Sequence, residues 1–297
     1  MAGTGEFGDA ECGEEPVVVT VDGHVAQVVL QRPGRLNALT LPMLGKLRSA
    51  LESLSGDPDV RVVVITGAGR GFCAGGDVDA MAGRALSEEL VRDTVAVTEI
   101  LYALPQVTIA AVNGPCAGGG MALACAADLR IAASSAVFVT AFLHVGTTGD
   151  MGLPWHLVRL VGLGRAKELS LLGDRIGTDE AASLGLVGRV VPDDDLVRAT
   201  GEMASRLAAL APGAVAGMKA NLNEASGLDL PTFLDVESRR YAENARSEDA
   251  REAVRAWLED RSPVYVGRRG GNDMPTPPVD GPDELHAIGT AVAGGVG

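Results

Sequence analysis

The chain reads as an α/β protein built on a buried parallel sheet, and three observations carry that reading. Strand-like and helix-like segments alternate through the first two thirds of the chain; the strand-like ones are short, nearly unbroken β-branched runs such as "VRVVVITGAG" and "VTIAAV"; and both of these lead into glycine-rich turns. Unbroken apolar strands belong to sheets covered on both faces, which points to parallel strands between layers of helix.

Taken in order, "PVVVTVDGHVAQVVLQRP" is two β-branched runs around an Asp-Gly step and predicts a hairpin. The next stretch, "TLPMLGKLRSALESLSG", carries apolar residues at helical spacing from Leu44 to Leu54, with Thr40 placed to cap it and Pro42 near the first turn. There follow the strand "VRVVVITGAG", a helix around 87–104, the strand "VTIAAV", a helix from the glycines at 118–120, and the strand "LRIAAS". From Asp150 to about Arg261 the sequence is helical in character, interrupted by the short strand "LVGRVV". The expected organisation is a core over 16–200 and a helical C-terminal subdomain over 201–265. The acidic, Gly-rich residues 1–15 and the Gly- and Pro-rich residues 266–297 are expected to be disordered tails.

Composition removes several classes of function. With 297 residues, 46% of them hydrophobic, the chain can build a large core. No apolar run approaches the ~20 residues of a membrane span, and the acidic N-terminus lacks the apolar centre of a signal peptide, so the expectation is a cytoplasmic protein. A net charge of -14 with scattered arginines argues against nucleic acid as a partner. The four cysteines form no C-x-x-C pair and the four histidines no i, i+4 pair, so neither a metal site nor a disulfide framework is expected.

The chemistry is concentrated in two turns, "GAGRGFCAGGDV" (67–78) and "NGPCAGGGMAL" (113–123). The first is not a dinucleotide fingerprint, since Phe72 stands where the third glycine belongs, and neither has the G-K-[ST] of a phosphate loop. Either turn by itself can be a plain strand-to-helix connection. Two of them after two parallel strands lie at the same edge of the sheet, where two main-chain N–H groups can converge on one developing oxyanion.

Four motifs in order, "RPGRLNAL" (32–39), "GAGRGFCAGGDV", "NGPCAGGGMALACAADLRIA" (113–132) and "GLPWHLVRLVG" (152–162), resemble the crotonase, or enoyl-CoA hydratase/isomerase, superfamily, over about Pro16 to Pro263. The resemblance implies a crotonase-like spiral of ββα units with a helical C-terminal trimerisation subdomain, and a homotrimer or homohexamer. It also implies an acyl-CoA thioester substrate, of the kind met in fatty acid metabolism, with coenzyme A part of the substrate and no separate cofactor. Carried over by position, it makes the N–H groups of Gly76 and Gly119 the oxyanion donors. It puts coenzyme A near Leu36, Ala38, Ala74, Asp77 and Val78, and makes Tyr265 the closest match to an aromatic that reaches the coenzyme A site in relatives, sometimes from a neighbouring subunit. The lysine often beside that aromatic is Val266 here, with Arg268 a possible substitute.

Hydratases of the superfamily typically carry two glutamates, and the matching positions here are Ala122 and Phe142. Asp150 is the acid that remains, at a position where some isomerases and a haloaroyl-CoA dehalogenase place a catalytic aspartate. A helix N-cap is the competing reading of Asp150, because it precedes "MGLPWHLVRLVG". Asp77 is expected to cap a short helix and Asp128 to be structural; Trp155 and Phe142 read first as core and second as acyl-pocket walls; His144, His156, Cys73 and Cys116 read first as packing residues. The function expected is a Δ3,Δ2-enoyl-CoA isomerase with Asp150 as proton shuttle. An enoyl-CoA hydratase, an aspartate-dependent acyl-CoA hydrolase or dehalogenase, and a non-catalytic acyl-CoA-binding protein are the alternatives.

Overall fold

The computed structural model describes residues 15–81 and 87–267. Strands β1 (Val17–Asp22) and β2 (Val25–Leu30) pair antiparallel, and Gly23, at φ +56°, makes the reversal together with His24. Helix α1 (Leu41–Ser55) is capped by Thr40, whose hydroxyl accepts from the Met43 N–H at 3.4 Å, and Met43, Leu47 and Leu51 on its inner face are fully buried. Then come β3 (Val62–Gly67), the short α2 (Val78–Met81), α3 (Glu88–Ala103) and β4 (Val107–Val112). A two-residue β5 (Cys116–Ala117) leads into α4 (Gly119–Ala126), every residue of which is buried, and on to β6 (Leu129–Ala133) and β7 (Val137–Val139).

The chain continues as α5 (Leu153–Leu172), broken at Gly162, whose φ of +77° and ψ of 159° are not helical. It ends with β8 (Ile176–Gly177), α6 (Thr178–Ser183), β9 (Arg189–Val191), α7 (Leu196–Ala208), α8 (Pro212–Ala225), α9 (Leu230–Ala245) and α10 (Glu248–Leu258). The main sheet runs β1-β2-β3-β4-β6-β9 and is parallel from β2 onward, as the unbroken apolar strands predict. A second sheet, β5-β7-β8, has no counterpart in the sequence reading; strands of two or three residues are too short to show a period.

Alternation along the strands fills two cores. Val63 and Ile65 of β3 face the larger one with α1, α3, α4 and α5, whereas Val62 and Val64 face α7 through Leu196, Ala199, Ala204 and Ala208. Two expected boundaries therefore move. The division at 200/201 falls inside α7, which belongs to the core by the residues just named. At the other end Val266 and Gly267 are tied down, since their N–H groups donate to the Asp249 carboxylate at 2.8 and 3.1 Å. The rest of the two expected tails, 1–14 and 268–297, including Arg268, lies outside the described residues.

Candidate active site

The site is assembled by one buried side chain that the sequence reading passed over. Asn37 is fully buried at φ +57°, in the left-handed region that asparagine tolerates better than most residues. Its Nδ2 donates to the carbonyls of Ala68 (2.9 Å), Gly71 (2.8 Å) and Phe72 (3.2 Å), while its Oδ1 accepts from the Arg32 N–H at 2.8 Å. Asn37 thus clamps loop 32–39 onto the first glycine turn. Arg32 adds a second clamp: its guanidinium donates to the Ala38 carbonyl at 2.5 Å and pairs with Asp77 at 3.0 Å.

Main-chain pairing does the rest. Ala74 N–H donates to Leu36 O, Leu39 N–H to Gly75 O at 2.7 Å and Asp77 N–H to Leu39 O at 2.9 Å, so Gly76 bridges Leu39. On the other side Cys73 bridges Cys116, through Cys73 N–H to Pro115 O and Ala117 N–H to Cys73 O. The segment 73–76 is therefore bridged to 36–39 on one side and to 115–117 on the other. Because the peptides flanking Gly76 are spent on Leu39, the Gly76 N–H points the opposite way, toward the second turn.

Close approach dictates the glycines here. Gly75 sits at φ +92°, and a Cβ on it would lie 2.9 Å from the Ala117 oxygen and 3.3 Å from the Gly119 nitrogen. A Cβ on Gly120 would lie 2.3 Å from the Cys73 oxygen. The two turns touch, backbone on backbone. Gly119 opens α4, so its N–H has no partner within the helix, and it stands at the positive end of the helix dipole.

Asp150 sits in a strained turn that touches the second glycine turn through Met151. Gly149 (φ +109°), Met151 (φ +51°) and Gly152 (φ +71°) surround it with left-handed backbone, and the Met151 sulfur lies 3.0 Å from where a Cβ on Gly119 would be. The N-cap of α5 is Gly152, and the Asp150 carboxylate accepts from the adjacent Met151 N–H at 2.7 Å, outside the helix. This removes the capping reading. Burial raises the Asp150 pKa above the ordinary carboxylate value, opposed only by that one N–H. No ion pair to Asp150 occurs among the described residues.

The other candidates separate clearly. Leu36, Ala38, Ala74 and Asp77 lie together in the clamped assembly beside Gly76, and Val78 follows as an exposed residue at the start of α2. The Asp77 carboxylate is occupied, accepting from the Ala80 N–H at 3.2 Å as the expected cap and pairing with Arg32. Burial raises its pKa, but the Ala80 N–H and Arg32 outweigh burial and leave it lowered. Phe142 stands where its ring would meet a Cβ on Gly118 at 3.8 Å, and Ala122 is buried inside α4, so neither position supplies an acid.

Several residues are placed elsewhere. Tyr265 does not join the site of its own chain: its carbonyl accepts from Arg61 at 2.9 Å, at the start of β3, whereas the glycine turn is at the end of β3, about 17 Å along the strand. Trp155 is not core; it is 42% exposed, with the Arg159 guanidinium 3.5 Å from its ring centroid and edge contacts to Tyr102 and His156. His156 is buried, and desolvation together with Arg130 and Arg159 lowers its pKa to about 4, so it is neutral and not a cationic partner for Asp150. His144 is exposed and lies against Gly173 at the end of α5. Burial pushes Cys73 up to about 12 and raises Cys116 well above the usual thiol value, so both are protonated packing residues. Asp128 is structural, accepting from Thr108 N–H at 2.7 Å and Lys219 at 2.7 Å. Among the described residues no cluster of three or more metal-ligating side chains occurs, and no helix is long and apolar enough to cross a membrane.

A series of strand-helix units with two glycine turns in contact at one sheet edge defines a protein class, the crotonase-like α/β spiral. The chain belongs to the enoyl-CoA hydratase/isomerase family, whose model matches residues 20–268. It is 39% identical over 246 residues to a protein of Rhodobacter capsulatus named "Probable enoyl-CoA hydratase", covering 82% of this chain and 95% of that one. It is 36% identical over 260 residues to the 1,2-epoxyphenylacetyl-CoA isomerase of Escherichia coli, covering 86% and 99%. Among solved structures, the enoyl-CoA hydratase of Bacillus anthracis superposes with a TM-score of 0.81 at 36% identity, over 86% of this chain and all of that one. The protein is an enzyme of this family.

Proposed function

We propose that the enzyme is a Δ3,Δ2-enoyl-CoA isomerase in which Asp150 is the proton shuttle. The observation that carries this reading is a half-buried, unpaired carboxylate in the turn packed on Gly119, with Ala122 and Phe142 at the positions of the two acids a hydratase uses. The thioester oxygen of a 3-enoyl-CoA accepts from the N–H groups of Gly76 and Gly119. Asp150 removes a proton from C2, the electron pair passes into the thioester as a dienolate, and the two N–H groups hold the negative oxygen. The protonated Asp150 then returns the proton to C4, leaving a 2-enoyl-CoA. One carboxylate, alternately base and acid, serves both transfers. The raised pKa suits the task, since it makes the carboxylate a stronger base than an exposed aspartate.

Leu36, Ala38, Ala74, Asp77 and Val78 border coenzyme A in this reading, and Tyr265 contributes only from a neighbouring subunit. The hydratase reading is supported by the names of the relatives, and it requires a water-activating group besides Asp150. The test is to offer 3-enoyl-, 2-enoyl- and haloaroyl-CoA thioesters to the wild type and to Asp150→Asn. The isomerase reading expects shift of the 3-enoyl double bond by the wild type, lowered at least 1000-fold in Asp150→Asn with the thioester still bound. Hydration of the 2-enoyl thioester at equal rate by both proteins overturns it, and halide or thioester hydrolysis moves the reading to a hydrolase. Binding without turnover of any thioester makes the protein an acyl-CoA binder.

A further inference from the structure

A second polar site lies at the other end of the sheet from the glycine turns. Where β6 and β9 begin and α7 crosses them, a groove of ≈ 450 Å³ is bordered by Arg130, Arg189 and Arg206, with Leu129, Met203 and Leu207 supplying its apolar surface. Gly185 and Gly188 leave one wall without side chains. In a chain with 39 acidic and 25 basic residues, arginines are expected to find carboxylates. Here the side chains of Arg189 and Arg206 make no ion pair or hydrogen bond among the described residues. The one acid at the groove, Asp128, is already held by Lys219 at 2.7 Å and by Thr108.

Arg130 is the fixed member of the set. Its Nε donates to Leu186 O at 2.7 Å, and its Nη1 donates to Ala127 O at 2.6 Å and Ala124 O at 3.3 Å. These carbonyls orient the buried guanidinium without neutralising it, and they leave Nη2 without a protein acceptor among the described residues. A rigid, buried cation beside two unpaired surface cations is a set of forked donors matched to a dianionic head. The apolar surface between them matches a body that is not itself charged. The volume is that of a small-molecule site rather than of a protein interface.

We propose that this groove binds a small phosphate monoester carried on an apolar or aromatic body, at a site separate from the one that takes the thioester. The separation follows from topology, because the groove borders the starts of parallel strands and the glycine turns their ends. The net charge of -14 repels extended polyanions, so a compact ligand that engages the local arginines is the form of anion this surface admits.

The test uses 1-naphthyl phosphate as probe, followed by titration calorimetry and by broadening of its phosphorus resonance. The full-length protein is compared with the double variant Arg189→Gln/Arg206→Gln, whose melting temperature is measured alongside. The site predicts saturable binding of 1-naphthyl phosphate, weakened at least tenfold in a double variant that still melts like the wild type. It predicts weaker binding of inorganic phosphate and of 1-naphthol, each of which lacks half of the recognised chemistry, and no competition from a saturating acyl-pantetheine thioester, which carries no phosphate. Absence of binding, binding unchanged in the double variant, equal affinity for inorganic phosphate, or displacement by the acyl-pantetheine thioester each overturns the proposal.

Discussion

At the scale of single residues, Asp150 and Asn37 hold opposite kinds of buried polarity. Asp150 is left with one N–H donor, and its pKa is raised, so the folded protein binds its proton more tightly than the unfolded chain does. The sign of the linkage follows: the associated stability is fully present below the ordinary carboxylate pKa and is lost as pH rises through the raised folded value. Asp150→Asn, which cannot ionise, is therefore expected to melt higher than the wild type at neutral pH, with the difference vanishing in acid; calorimetry across pH checks this. In the same window the isomerase rate should rise with pH as Asp150 deprotonates, and a rate flat from pH 4 to 7 would count against the shuttle. Asn37 is the satisfied case, with four hydrogen bonds. Asn37→Ala strands those partners and puts alanine at a positive φ, which should cost about 2–4 kcal/mol in denaturant melts and lower activity in what remains folded.

At the scale of elements, the two glycine turns work only as a pair. Each is a loop by itself, and Gly75 is where their main chains come closest. A methyl group there meets the Ala117 oxygen and the Gly119 nitrogen, and has to push the second turn away. Gly75→Ala is expected to lower kcat by roughly 100-fold or more, the scale of losing one oxyanion donor, with KM changed much less; equal kcat would separate Gly75 from the chemistry. Much of this was readable in advance. The strands of the main sheet, the glycine turns, and helices α1, α3 and α4 follow from β-branched runs, glycine clusters and apolar spacing. The helix cap was not, because "TTGDMGL" offers two residues able to begin α5, and the left-handed Met151 and Gly152 place the start at Gly152 rather than Asp150.

For the whole molecule, the C-terminal helices leave much of their apolar surface uncovered. Among the described residues α9 buries none, and Leu230, Leu234, Tyr241, Trp257 and Leu258 are exposed along α9 and α10. Exposure on that scale is a surface for association. The proposed homotrimer or homohexamer covers it and is the route by which Tyr265 reaches a site other than its own. Light scattering is expected to give a mass three or six times that of the 30.4 kDa chain; a monomer would remove both proposals.

The linear order of residues was enough for the alternation of strand and helix and for the parallel sheet, because each is encoded in local spacing, and its four motifs were enough for the resemblance to the family, which is what named one acid and two glycines as candidates. It was not enough to say which groups meet. That Asp77 is engaged by Arg32, that Trp155 is on the surface, that Tyr265 is at the far end of β3 and that the Met151 sulfur packs on Gly119 all depend on contacts between segments far apart in the chain. Spacing along a chain sets the periodicity of each element, whereas the environment of a side chain is set by what the packed elements bring to it.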